Sequence, residues 1–180
     1  MIKVALVRGK YLNNFEGQNY IFNKKEIELT GISSLCPIHG NFPFPLIKLP
    51  SLADLGNSRL LKFVTNRTLG DGQILFGLEK LVDEFDIFHT ADPHYYYSYQ
   101  LAKLKERGLI KKLIVTSWEI IPFNNETVKK KKEIKRFVLK QADYFICYTN
   151  KAKECLIKEG VDERKIEVVR LGVDLDKFKI

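Results

Sequence analysis

Apolar residues along this chain follow two rhythms. Short, nearly unbroken runs occur at Ile2–Val7, Asp86–His89, Leu113–Thr116, Tyr144–Tyr148 and Ile166–Val169, with a looser alternation over Glu26–Ser33. Runs of this length without polar alternation read as strands covered on both faces. Leu46–Leu49 is a weaker candidate for a further strand. Between the runs the spacing becomes helical. Asp71–Glu84 carries Ile74, Leu75, Leu78, Leu81 and Val82; Pro93–Arg107 aligns Tyr97, Leu101 and Leu104 and stops at Gly108; Thr127–Gln141 aligns Ile134, Phe137 and Val138; Asn150–Glu159 is ended by Gly160. Asp92 suits a helix N-cap and Pro93 the first helical position.

Strand and helix alternate through the second half, which implies parallel strands joined by right-handed helical crossovers. The expected class is α/β: a Rossmann-like, doubly wound, mainly parallel sheet with helices on both faces. The stretch Ile38–Leu49, flanked and interrupted by Pro37, Pro43, Pro45 and Pro50, reads as an irregular, lid-like loop. The chain carries no internal repeat and no low-complexity linker.

In such a sheet, ligands bind beyond the carboxyl ends of the strands, so the residues following each strand are the candidates for chemistry. Arg8-Gly9 opens the first such loop, and Gly17 lies near its end. The two glycines are too far apart for a dinucleotide fingerprint. The loop either wraps a polar ligand through backbone N–H groups or is an ordinary polar turn. His89, Asp92 and His94 follow the fourth strand, with Tyr95, Tyr96 and Tyr99 behind them. Two histidines flanking a helix start, without a cysteine or acidic cluster, do not match a metal-ligand pattern; hydrogen bonding to a hydroxylated ligand and a plain surface cap both account for His94. Tyrosines here suit sugar faces or helix packing. Trp118, the single tryptophan, and Glu119 follow the fifth strand. Glu119 is the rim carboxylate suited to act as a base or hydroxyl binder, or it is a helix-facing or solvated acid; Trp118 lines a site or packs half-buried.

Composition narrows the partners. With 180 residues, 45% of them hydrophobic, the chain suffices for one domain with a real core. Lys and Arg number 30 against 22 Asp and Glu, a net charge of +8, and much of the excess falls in 103–112 and 129–136. Solvated helix faces, an anionic membrane surface, an anionic ligand and nucleic acid all fit a basic chain. Nucleic acid has only the charge in its favour, because no recognition motif or exposed aromatic platform accompanies it. Within 127–141, stepping back one turn from Ile134 reaches Lys130 and Lys131, so the first half of that helix cannot sit on the core. Lys129, Lys130, Lys131 and Lys132 crowd the positive end of the helix dipole and are candidates for contact with anionic lipid headgroups, or they form a solvated helix end. Cys36, Cys147 and Cys155 form no framework, which fits reduced thiols in a cytoplasm. No signal-peptide pattern or spanning stretch of about 20 apolar residues is present, and the expected localisation is cytoplasmic, with peripheral contact at the inner membrane face.

Several segments share a pattern. Ala142–Thr149, Gly160-Val161-Asp162, Lys165–Val169 and above all Leu171-Gly172-Val173-Asp174-Leu175-Asp176-Lys177-Phe178 resemble the end of the N-terminal domain in the large fourth family of GT-B glycosyltransferases. Phe85–His89 and Val115–Glu119 also match strand ends of that family. The resemblance spans about Leu78 to Phe178 and the first strand; 41–69 matches nothing. It implies an acceptor-side domain over 1–171, with 172–180 entering a hinge towards a second Rossmann-like domain that holds the nucleotide-sugar donor. It also implies retaining transfer to a glycan or lipid-linked acceptor, without bound metal and with no cofactor in this domain. The sequence departs from the family at Trp118-Glu119, where a histidine segment is usual, at Ala91, where a second histidine is usual, and in the first loop, where a double glycine is reduced to Gly17. The residues assigned are His89 and Glu119 as catalytic, and Arg8, Gly9, Gly17, Asp92, His94 and Trp118 as acceptor-binding. The lobe by itself is expected to be inactive. A stand-alone Rossmann-like domain that binds a nucleotide or regulatory ligand is the alternative reading.

Overall fold

The computed structural model describes residues 1–20, 26–55 and 59–172. Seven strands form one sheet: β1 (Ile2–Gly9), β2 (Ile27–Ser34), β3 (Leu46–Leu49), β4 (Ile87–Ala91), β5 (Lys112–Ser117), β6 (Tyr144–Cys147) and β7 (Ile166–Val168). Their order is β3-β2-β1-β4-β5-β6-β7, and every pairing is parallel. The chain therefore starts in the middle of its sheet, builds outward to one edge, and then returns past β1 to build the other. The switch of direction falls between β1 and β4, where the loops that leave the two strands turn to opposite faces and open a crevice.

The helices are α1 (Asn14–Gly17), α2 (Arg59–Thr68), α3 (Tyr96–Glu106), α4 (Lys129–Gln141) and α5 (Asn150–Lys158). They divide unequally between the faces. Ala5, Val7, Phe88, Leu113, Val115, Phe145 and Cys147 point into a large core shared with Leu101 of α3, Ile134 and Val138 of α4 and Leu156 of α5. The opposite face holds a small core of Leu6, Leu12, Tyr20 and Leu29, covered by α1, the turn after it and Phe42 and Phe44. Beyond that cover, Val4, Ile27, Ile87, Ile114 and Ile146 line an open groove of about 380 Å³, which Arg170, Leu171 and Gly172 border.

Three expectations change. The stretch Ile38–Leu49 is not a free lid: Leu46–Leu49 is an edge strand, and Phe42 and Phe44 stack 5.6 Å apart over the small core, so their apolar area is better buried than exposed. No long helix forms over Asp71–Glu84. Gly77 takes a left-handed φ of 90°, only Leu78–Leu81 makes a tight helical turn, and the Gln100 side-chain amide accepts from Leu75 N–H and donates to Leu75 C=O. Those backbone groups therefore have partners without a helix, while Leu75 and Leu78 still reach the core. The third change concerns α3, which starts at Tyr96 rather than Pro93. Its first N–H donates to the Asp71 carboxylate, 2.9 Å away, so the acid that caps it comes from 25 residues upstream rather than from Asp92. The hinge expected at 172–180 lies outside the described residues from 173 onward.

Candidate functional site

The crevice is built from the ends of β1, β4, β5 and β6. At the end of β1, Arg8 is almost wholly buried, and its guanidinium pairs with Glu16. It also donates to the carbonyls of Val7 (3.0 Å) and His89 (3.2 Å) and to the Tyr20 hydroxyl (2.9 Å). Burial alone would favour loss of its proton, but Tyr20 and Glu16 outweigh it and the pKa rises. Arg8 thus ties α1 and the turn after it to the sheet. Gly9 has φ 53°, and a Cβ there would lie 2.8 Å from the Gln73 side-chain oxygen and 3.1 Å from the Tyr97 ring, so the position requires glycine on two counts. Gly17 approaches Phe42, where a Cβ would come to 3.3 Å.

At the end of β4, His89 is buried, and its Nε2 lies 2.7 Å from Thr116 Oγ1. Burial and the nearby Arg8 charge hold its pKa well below the usual histidine range, so the ring is neutral. One residue beyond the end of β4 the chain reaches Asp92, whose φ is 49°. This left-handed turn is held on all sides: Asp92 N–H donates to Thr116 C=O at 2.9 Å, Ser98 Oγ donates to Asp92 C=O at 2.9 Å, and the carboxylate accepts from Trp118 N–H at 3.3 Å. A strained conformation fixed by surrounding bonds is a common mark of a functional position. Burial raises the Asp92 pKa to about 6, the Trp118 N–H opposing and the Glu119 charge adding to the rise.

Aromatic rings pair along the rim. Tyr11 lies 5.0 Å from Tyr95, and Tyr95 lies 4.3 Å from His94. On the other side Trp118, 46% exposed, meets Tyr148 edge-on at 5.3 Å; the Tyr148 hydroxyl reaches Tyr20 at 3.0 Å. The rim therefore offers a half-buried carboxyl group together with aromatic rings, a combination that suits hydroxyl-rich rings. Tyr96 and Tyr99 belong elsewhere: Tyr99 packs on Phe137, 5.3 Å away, in the seam between α3 and α4.

Of the readings open for Glu119, the structure shows a helix-facing acid rather than a solvated one. Its Oε1 accepts from the Asn125 amide at 2.6 Å, and its Oε2 lies 2.7 Å from Lys135 Nζ. Lys135 is fully buried, pairs with Glu159 at 2.7 Å and donates to the carbonyl of Asn124 at 3.1 Å. Burial works against its charge, but the two carboxylates more than compensate and its pKa rises. His94 Nδ1 sits 3.4 Å from Glu119, yet burial lowers the His94 pKa to about 4 against the pull of Glu119, so at neutral pH the histidine is uncharged. The four lysines of the α4 start differ among themselves. Lys130 pairs with Glu133, Lys132 with Glu126, and Lys131 lies beside Gly70. Sequence reasoning missed Lys135, hidden inside a basic run, although it lies four residues before the core position Leu139 and one after Ile134. It also missed Glu16, Asp71 and Tyr148. Among the described residues no group of three His, Cys, Asp or Glu side chains could hold a metal ion.

A parallel seven-stranded sheet with this crevice is one lobe of the GT-B class. Anabaena HepE in complex with UDP superposes with a TM-score of 0.65 at 11% identity, over 100% of this chain and 46% of that one. The UDP-GlcNAc 2-epimerase of Methanocaldococcus jannaschii gives 0.56 at 14% identity, over 93% and 45%, and that of Neisseria meningitidis, bound to UDP-GlcNAc, 0.55 at 13%, over 93% and 45%. The present chain thus spans about half the length of each. No curated protein matches it. The model of glycosyltransferase family 4 matches residues 37–177, and the chain belongs to that family.

Proposed function

We propose that this chain is the acceptor-side lobe of a retaining glycosyltransferase that moves a sugar from a nucleotide-sugar donor, held by a second lobe in cis or in trans, to a glycan or lipid-linked acceptor. The observation that carries the reading is the Asp92 carboxyl group, fixed by a left-handed turn, bonded to the backbone N–H of the exposed Trp118 and near enough to Tyr95 for its charge to add to the burial-driven rise in the pKa of that hydroxyl. Sugar transfer with retention passes through an oxocarbenium-like state. The enzyme's part is to hold an acceptor hydroxyl against the anomeric carbon and to stabilise the departing diphosphate. This lobe supplies the first function. Asp92 accepts or donates a hydrogen bond to an acceptor hydroxyl, Trp118 carries the ring face, and neutral His94 offers a further polar contact.

Other assigned residues act through these. Arg8, Gly9 and Gly17 shape the first loop. His89 braces the floor through Thr116, and Glu119 positions the segment after Trp118 through Lys135. Either of the last two reaches a reacting group only if the second lobe closes over the rim. On this reading the lobe alone is inactive, binds no cofactor and works in the cytoplasm, where the unpaired Cys36, Cys147 and Cys155 stay reduced.

Trp118 is the only tryptophan, so its fluorescence reports the rim directly. Titrating the chain with simple glycosides is expected to shift that emission saturably, and D92N is expected to weaken the response about tenfold, the size of one charge-assisted hydrogen bond. Tight binding of a nucleotide sugar with silence towards every glycoside would overturn the assignment and favour a nucleotide-binding regulatory domain.

A further inference from the structure

The second half of helix α2 presents apolar side chains to the outside. Thr65 points inward and is 7% exposed, while Phe63 and Val64 point outward at 60% and 46%. A surface helix ordinarily buries its apolar stripe and shows its polar one. Here the apolar pair faces away from the protein, with a cation beside it: the Arg67 guanidinium lies 5.7 Å from the centre of the Phe63 ring.

The neighbouring start of α4 adds more positive charge. Between the two helices lies a groove of about 410 Å³ whose walls include Phe63, Arg67, Lys129 and Lys130 and contain no carboxylate. Lys130 has a surface partner in Glu133 at 3.4 Å; among the described residues neither Arg67 nor Lys129 has an acidic one. The groove also sits at an informative end of the molecule. Since α4 follows β5, its first turn stands at the carboxyl ends of the strands, the same end as Asp92 and Trp118.

We infer that the α2–α4 surface docks the protein on an anionic lipid bilayer, with Phe63 and Val64 entering the interfacial layer and Arg67, Lys129 and Lys130 holding lipid phosphates. Outward apolar side chains rimmed by cations are the arrangement of helices that lie in a membrane interface, and the positive groove complements the surface potential of anionic lipids. Phe63 is the single aromatic ring among the described residues that line the groove, whereas single-stranded nucleic acid needs successive stacking platforms. This inference rests on the α2–α4 surface alone, and the Trp118 titration tests the transferase reading separately.

The experiment is sedimentation of the full chain with phosphatidylcholine vesicles, with and without about a third phosphatidylglycerol, in low and in moderate salt. Wild type is expected to pellet with the anionic vesicles only, and less so as salt rises. Two variants approach the surface from different sides. R67A/K129A/K130A is expected to lose about a hundredfold in apparent affinity, and F63S/V64S about tenfold. All five side chains are solvent-facing or groove-lining, and circular dichroism melts confirm that each variant is folded; if one is not, the other decides. Failure of wild type to pellet, equal pelleting with neutral vesicles, indifference of both variants, or variant-sensitive binding to polyuridine of the same strength would each overturn the inference.

Discussion

At Asp92 the needs of folding and of binding pull in opposite directions. Burial raises its carboxyl pKa to about 6 from the ordinary 3.8, so the native state binds its proton more tightly than the unfolded chain does. Between those two values the folded form carries more protons, and stability falls as pH rises. The group costs the fold nothing below about 4 and its full penalty above about 6. Asparagine keeps an acceptor for the Trp118 N–H, tolerates the left-handed turn and cannot ionise. D92N is therefore expected to stabilise the chain by about 1–3 kcal/mol at pH 7 and to have little effect at pH 4, measured by urea unfolding at both values. His94 has the opposite sign. Its pKa, lowered to about 4 from 6.5, contributes stability that is present above the unfolded value and lost as pH falls towards 4. Lys135 sets a second test. Replacing it with methionine leaves Glu119 and Glu159 facing each other without a cation, a loss of about 3–5 kcal/mol; K135M/E119Q/E159Q should recover most of that in the same unfolding assay. The positions of His89, Asp92 and Trp118 at the rim were legible in the sequence, because residues after parallel strands must lie there. Lys135 was not, since a lysine run gives no sign of which member turns inward.

Elements were legible where hydrophobic period and burial agree. Six of the seven strands carry apolar runs or alternation strong enough to be read directly, and α4 and α5 show their inward stripes at Ile134, Val138, Ala152 and Leu156. Where a tertiary partner replaces a local bond, the pattern misleads. The helical spacing of 71–84 is real, yet Gln100 satisfies the Leu75 backbone and Gly77 turns the chain. Helix α2 escaped notice for the complementary reason: Phe63 and Val64 serve the outside, so the apolar spacing of its second half does not mark a core-facing stripe. The cap of α3 belongs to this scale too. Because Asp71 accepts from the N–H groups of both Gln73 and Tyr96, D71A should free the first turn of α3. Native-state hydrogen exchange is expected to show faster amide exchange at Tyr96 and Tyr97, on the order of tenfold from about 1 kcal/mol of lost capping, with β6 and α5 unchanged.

At the scale of the whole sheet, the described residues place most of the helical mass on one face. Parallel sheets are nearly always covered on both sides, and here Val4, Ile27, Ile87, Ile114 and Ile146 stay half-open around the groove beside Arg170–Gly172. An apolar dye such as ANS is expected to bind the folded chain saturably, and I114Q/I146Q to reduce its fluorescence several-fold while the far-ultraviolet spectrum is retained. Retention of full dye binding by that variant would place the exposed apolar surface elsewhere.

The strand order has a consequence for synthesis. Of the seven strands, β1 is translated before the others and ends at the centre of the sheet; β2 can pair along one of its edges, and β3 with β2, as soon as they emerge. The other edge has no partner until Ile87–Ala91 has been translated. For that interval the nascent chain displays an unpaired parallel edge of the kind that recruits wrong partners. Ribosome-stalled chains ending between β3 and β4 should therefore be the most aggregation-prone and the most chaperone-bound of the series.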